Sequence, residues 1–140
     1  VINVAVSGCH IETFMHEYVD DYVKTRAPQW MKNMLKAYND KPYDRLVEIA
    51  RKAQEAGVIK GILLHQGESN TGDETWPEKV DSVYNRLLTD LHLKANDVPL
   101  LAGEVVRADG RGKCISMNSI IDPPPETHPH GPCHFFRRLH

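Results

Sequence analysis

The chain holds 140 residues, 41% of them hydrophobic and 26% charged, with a formal net charge of −2. That balance is ordinary for one globular domain, too apolar for a disordered chain, and without the basic block of a nucleic-acid binder. No apolar run approaches the roughly 20 residues that cross a bilayer, so neither nucleic acid nor membrane is an expected partner.

Residues 1–6 are apolar except at Asn3 and end at Ser7-Gly8, which predicts a buried parallel strand. A strand pattern that begins at the first residue leads us to expect further chain upstream. From Cys9 to Tyr38 apolar positions recur at helical spacing on either side of Pro28, which predicts two short helices. Residues 43–56 form the clearest helix, with Leu46, Val47, Ile49, Ala50 and Ala53 on one face and Gly57 as its terminating glycine. Residues 58–64 read as a second strand. Trp76-Pro77 opens the next helix, whose apolar face carries Val80, Val83, Tyr84, Leu87, Leu88 and Leu91. Residues 99–103 read as a third strand, ending at Glu104, and residues 113–121 as a further helix. Alternating strands and helices favour a parallel sheet with crossover helices.

The composition changes from Asp122 onward. Pro123, Pro124 and Pro125 are followed by His128, His130, His134 and His140, with no apolar periodicity. We therefore divide the chain into a core, residues 1–122, and a Pro/His-rich tail, residues 123–140, expected to be disordered. Residues 131–140 can be back-translated into DNA whose next frame reads Ala-His-Val-Ile-Ser-Ser-Ala-Gly-Cys, an apolar strand. A frame slip shortly before Gly131 is the expectation. The tail histidines match no standard zinc spacing, and Cys9, Cys114 and Cys133 form neither a CxxC pair nor a disulfide framework.

The chemistry concentrates in His65-Gln66-Gly67-Glu68-Ser69-Asn70, a polar cluster that abruptly follows the apolar run. Open α/β sheets bind ligands beyond the carboxyl ends of their strands, so this loop is the candidate site. A glycine-rich turn that merely caps the next helix is the plain alternative. Glu68 and Glu104 end neighbouring strands and would form a carboxylate pair in a glycosidase-like reading. The adjacent Cys9 and His10 point to opposite sides of a strand end, so they do not make a nucleophile–base pair.

The block His65-Gln66-Gly67-Glu68 resembles the HQGE block of carbohydrate esterase family 6 and the sialate O-acetylesterases, within the SGNH hydrolases. Ser7-Gly8-Cys9-His10-Ile11-Glu12 resembles that family's second block, and Gly103-Glu104 and Met117-Asn118 its later short motifs. The resemblance implies a three-layer, flavodoxin-like α/β fold, here truncated at both ends. It also implies ester hydrolysis on an acetylated carbohydrate by a serine nucleophile, with no metal or cofactor. The family's Gly-x-Ser-Asn and Asp-x-x-His blocks are not found in the chain. What carries over is Gly8 as oxyanion donor, Gln66 as a side-chain donor, and Glu68 as the acid or its support. His65, Asn70, Trp76 and Glu104 follow as substrate-binding candidates, with Trp76 rather than Trp30 as the sugar-stacking ring. Ser7 stands where the family usually has glycine. Such enzymes are often secreted or periplasmic, and no leader pattern opens this chain. A catalytically incomplete carbohydrate-binding fragment is the alternative function. A sheet with open edges predicts a homodimer that covers them.

Overall fold

The computed structural model describes residues 1–107 and 110–121. Helix α1 (His16–Thr25), helix α2 (Gln29–Lys36) and helix α3 (Pro42–Gln54) lead into strand β1 (Ile62–Leu64). Helix α4 (Trp76–Asp90), strand β2 (Leu100–Ala102) and the short helix α5 (Asn118–Ile121) follow. The two strands are parallel neighbours, with Ile62 opposite Leu100, Leu63 opposite Leu101 and Leu64 opposite Ala102. Parallel neighbours need a long crossover, and α4 supplies it. The result is an α/β architecture.

Local chemistry explains the helix ends. Pro28 separates α1 from α2, and proline opens α3 and sits in the first turn of α4, where a missing N–H costs nothing. Gly57 does not end α3 in the left-handed conformation that we expected. The helix closes earlier, through hydrogen bonds from the Glu55 and Ala56 amides to Lys52 and Ala53. The left-handed residues are Asn39 and Asp40 after α2 and His92 after α4. There the Asp40 and Leu93 amides reach back to the Leu35 and Leu88 carbonyls.

The main core lies between α4 and the sheet. Trp76, Val80, Tyr84 and Leu88 pack with Val98, Leu100, Ala102, Val105, Met117 and Ile121. A second cluster joins Tyr43, Val47 and Ala50 of α3 to Leu87 and Leu91, and a third joins Val6 and Cys9 to α1 and α2. Among the described residues no helix is long and apolar enough to cross a membrane.

The strands are shorter than the sequence suggests. Residues 1–6 form no strand, and burial alternates along them, with Val6 alone fully enclosed. A doubly buried strand needs a hydrogen-bonded neighbour and cover on both faces. This segment is tied instead by Cys9 N–H to the Val6 carbonyl and by the Tyr38 hydroxyl to Ala5. β1 keeps only three of the seven residues expected, because Val58 is exposed and pairing begins at Ile62. Ile62 and Leu64 face the core, whereas Leu63 is 68% exposed on the outer face. Residues 113–121 form a 3₁₀ turn followed by α5 rather than one helix. The Pro/His-rich tail, with its disorder and frame-slip expectations, lies outside the described residues.

Candidate active site

β1 ends at Leu64, and the chain then turns through His65 to Asn70 beside the loop that carries Ser7 to Glu12. Gly67 makes the turn at φ +147°, a conformation that side chains disfavour. A Cβ there would stand 3.2 Å from Met117 Cγ and 3.3 Å from Ile121 Cδ1, so the loop's backbone is packed directly on α5 and the turn before it.

Two amide side chains fasten the two loops together. Gln66 Nε2 donates to the Cys9 carbonyl (3.0 Å) and to Asn70 Oδ1 (2.8 Å), while its Oε1 accepts from the Trp76 indole N–H. Asn70, only 4% exposed, accepts the Ile11 amide at 2.9 Å and donates to Glu12 Oε2 (3.1 Å) and Asp73 Oδ2 (3.2 Å). Ser69 Oγ adds a bond to the Gly8 carbonyl at 2.9 Å. Every polar atom of the Gln66 and Asn70 amides is thereby satisfied inside the protein.

Beneath this clasp lies a charge cluster. Lys79 Nζ bridges Glu12 Oε1 (2.9 Å) and Asp73 Oδ2 (2.6 Å), and Asp73 Oδ1 accepts from the Thr75 amide and hydroxyl. Burial opposes ionisation of both acids, but the bonds from Lys79 outweigh it, with help from Thr75 and Asn70 at Asp73 and from Asn70 at Glu12. Asp73 is held down at about 2, and Glu12 is also lowered. Lys79 is raised: its burial favours the neutral amine, but hydrogen bonds to Asp73 and Glu12 outweigh that. All three are charged at neutral pH.

Other groups remain open. Glu68 and His65 are exposed, and the Glu68 carboxylate has no hydrogen bond or ion pair among the described residues. The Gly8 amide likewise has no partner, and Gly8 sits at φ +66° on the exposed tip of its loop beside Ser7. His65 Nδ1 lies 3.6 Å from where a Cβ on Gly103 would stand, so the ends of β1 and β2 lie side by side. Glu104, at the far side, accepts Arg107 Nε at 2.8 Å. Asn118 clamps the next residue, accepting the Val105 amide at 2.8 Å and donating to its carbonyl at 3.1 Å.

These contacts bear on the expected site residues. Gly8, Gln66, Glu68, His65 and Asn70 come together at the end of β1, with Glu104 at the end of β2. Three assignments need correction. Trp76 is 0% exposed, its ring sealed in the core, and offers a sugar no stacking face. Asn70 is spent on internal bonds and has no group for a substrate. Gln66 has both N–H groups committed, so it fixes the loop rather than presenting a donor. The sequence reading also passed over Asp73 and Lys79. A cation in the first turn of α4 opposes the helix dipole, and that anomaly was the signal that it had carboxylate partners.

The model of one family, described as carbohydrate esterase, sialic acid-specific acetylesterase, matches residues 1–122. The chain belongs to that family. The match takes in both loops of the clasp and the Val105–Asn118 clamp. At family level it assigns carbohydrate esterase, or acetylesterase, function. Among solved structures, none matches the chain. Within this esterase-family chain, a cavity of about 470 Å³ lies along α3 between Tyr43 and Asp90. Its lining residues are separate from the clasp.

Proposed function

We propose that the site at the ends of β1 and β2 hydrolyses O-acetyl esters of sugars, of the sialate or acetyl-xylan type. The observation that carries this reading is the clasp itself. It holds an open amide, Gly8 N–H, beside a loop that presents an open carboxylate, Glu68. Ester hydrolysis needs both elements, a donor for the oxygen that gains charge and a base for the nucleophile's proton.

In this scheme the acetyl carbonyl oxygen accepts from Gly8 N–H. The nucleophile, water or the neighbouring Ser7 hydroxyl, loses its proton to Glu68 as it attacks the acyl carbon. The C–O bond to the sugar breaks, and the sugar oxygen takes the proton back from Glu68. Attack by water releases acetate directly, whereas attack by Ser7 leaves an acetyl-serine ester. A water, deprotonated by Glu68, then hydrolyses that ester to acetate and free Ser7. The wider fold we propose is the three-layer SGNH arrangement. It is supported by the parallel β1–β2 pair, by helices against one sheet face, and by the exposed Leu63 on the other, where a further layer would pack.

A carbohydrate-binding role without turnover is favoured by one observation: both donors of Gln66 are occupied, so this side chain has none left for an oxyanion. In a glycosidase-like pairing of Glu68 with Glu104, Glu104 would have to act while ion-paired with Arg107. The test is hydrolysis of p-nitrophenyl acetate by the chain, with Glu68→Ala and Ser7→Ala beside it. Turnover lost in Glu68→Ala supports the esterase reading, and loss in Ser7→Ala identifies the nucleophile. Turnover no faster than buffer rejects it in favour of sugar binding.

A further inference from the structure

The molecule contains two tryptophans, and their surroundings are opposite. Trp76 is sealed in the core, whereas Trp30, in the first turn of α2, is 54% exposed. Trp30 stands half in water at the edge of a core in which its neighbours Met31 and Leu35 are completely enclosed. Trp30 is not a stray surface ring. Its six-membered edge lies against Gly8, with Cη2 only 3.1 Å and Cζ3 3.7 Å from where a Cβ would stand. Any side chain at position 8 would therefore press on the indole, and the left-handed φ at Gly8 disfavours side chains for a second reason.

The side of the Gly8 loop next to α1 is equally ordered. His10 packs on Tyr22 at 5.5 Å between ring centroids, and the Arg26 guanidinium lies over the Tyr22 ring, 5.5 Å from its centroid. These contacts hold the loop against α1. Trp30 thus touches the candidate site by its edge and is half exposed beside the Gly8 backbone.

We propose that Trp30 is the specificity-determining platform of this site, stacking the apolar C–H face of the pyranose whose acetyl group is presented to Gly8. The inference deepens the esterase reading and rests on it for the position of the acetyl group. A rigid indole gives a sugar ring a large contact surface at little conformational cost. Selection acts on the alcohol side of the ester, not on the acetyl group. An ester with no sugar should therefore depend less on Trp30.

Because Trp76 is enclosed, a soluble quencher such as iodide reads Trp30 alone. The chain would be titrated with a methyl O-acetyl-pyranoside while iodide quenching of tryptophan fluorescence is recorded. Protection from quenching that saturates with the sugar ester is the expected result, and Trp30→Phe should remove nearly all quenchable emission. Quenching that is unchanged at saturating solubility of the ester overturns the platform. This readout needs no turnover, so protection in a chain that hydrolyses nothing would retain the platform and reject the esterase reading. Where turnover is measurable, Trp30→Ala should raise KM for the sugar ester about tenfold, equivalent to about 1.4 kcal/mol of binding. Trp30→Phe should restore most of it, and the loss on p-nitrophenyl acetate should be clearly smaller than on the sugar ester. Equal losses on both esters would mean that Trp30 only supports the loop, contrary to the proposal.

Discussion

Replacing Lys79 by methionine tests what holds the two loops together. The substitution keeps most of the stem and removes the charge that bridges Glu12 and Asp73. Glu12 is 6% exposed, so its carboxylate would be left with the Asn70 amide and no cation. Removing one partner of a fully buried ion pair costs about 3–5 kcal/mol. Lys79 and Asp73 keep some contact with water, which lowers the expectation here to about 2–3 kcal/mol. With a urea slope of about 1.5 kcal/mol per molar, the unfolding midpoint should fall by about 1.5–2 M. Combining Lys79→Met with Glu12→Gln should recover about 1–2 kcal/mol of that loss, because no buried charge then lacks a partner. The acid limb gives an independent check. Asp73 titrates at about 2 when folded, below its ordinary 3.8, so it binds fewer protons in the native state over that interval. Stability from this group is therefore full above about pH 4 and lost as pH falls toward 2, amounting to about 2.5 kcal/mol. Glu12 is depressed in the same direction and adds to the same limb. In Lys79→Met the limb should flatten, since the cation that favours both carboxylates is gone. A variant with the wild-type midpoint and the wild-type acid limb would refute the reasoning.

Other substitutions separate scaffold from chemistry. Gly67→Ala places a methyl against Met117 and Ile121 at φ +147° and should cost about 1–3 kcal/mol by urea unfolding; an unchanged midpoint would mean that the turn relaxes freely. Glu68→Gln should leave stability within about 0.5 kcal/mol, as for an exposed side chain without partners. It should nevertheless lower ester turnover about 100-fold if the carboxylate is the base, and equal turnover would exclude that role. We also propose self-association through the outer sheet face, where Leu63 is 68% exposed and the strand edges are open. Light scattering should then give a mass above the 15.9 kDa monomer that returns to it in Leu63→Lys, whereas a monomer at high concentration would count against a dimer.

The helices were legible because their evidence is local. Periodicity over residues 43–56 located α3 as Pro42–Gln54, and Trp76-Pro77 marked the start of α4. Strands were overextended, because an apolar run such as residues 58–64 records hydrophobicity and says nothing about which residues find a partner. The loop at the end of β1 was legible as a polar cluster after an apolar run, but its division of labour was not. Asn70 and Gln66 carry the same amide chemistry whether they bind substrate or clasp the protein. The deciding partners lie far away in sequence: Ile11 is 59 residues from Asn70, Cys9 is 57 from Gln66, and Glu12 is 67 from Lys79. Periodicity cannot report such contacts. Trp76 was misjudged for the same reason, since either tryptophan fits a rim until the tertiary packing encloses one of them.

The loop faces two demands that conflict within six residues. Buried polar groups must be satisfied, because each unpaired one costs about 1–3 kcal/mol, whereas reacting groups must be unpaired to engage substrate. The chain resolves the conflict by assigning the demands to different positions. Gln66 and Asn70 turn inward and are fully bonded, and His65 and Glu68 face solvent, with Gly67 absorbing the reversal between them. Lys79, Glu12 and Asp73 then hold the inward residues without touching the outward ones. Rigidity and the proposed reactivity are thus carried by separate side chains on one short turn. It follows that inward substitutions should move the unfolding midpoint and outward ones the turnover. A substitution at Glu68 that moved both would show that the division is not real.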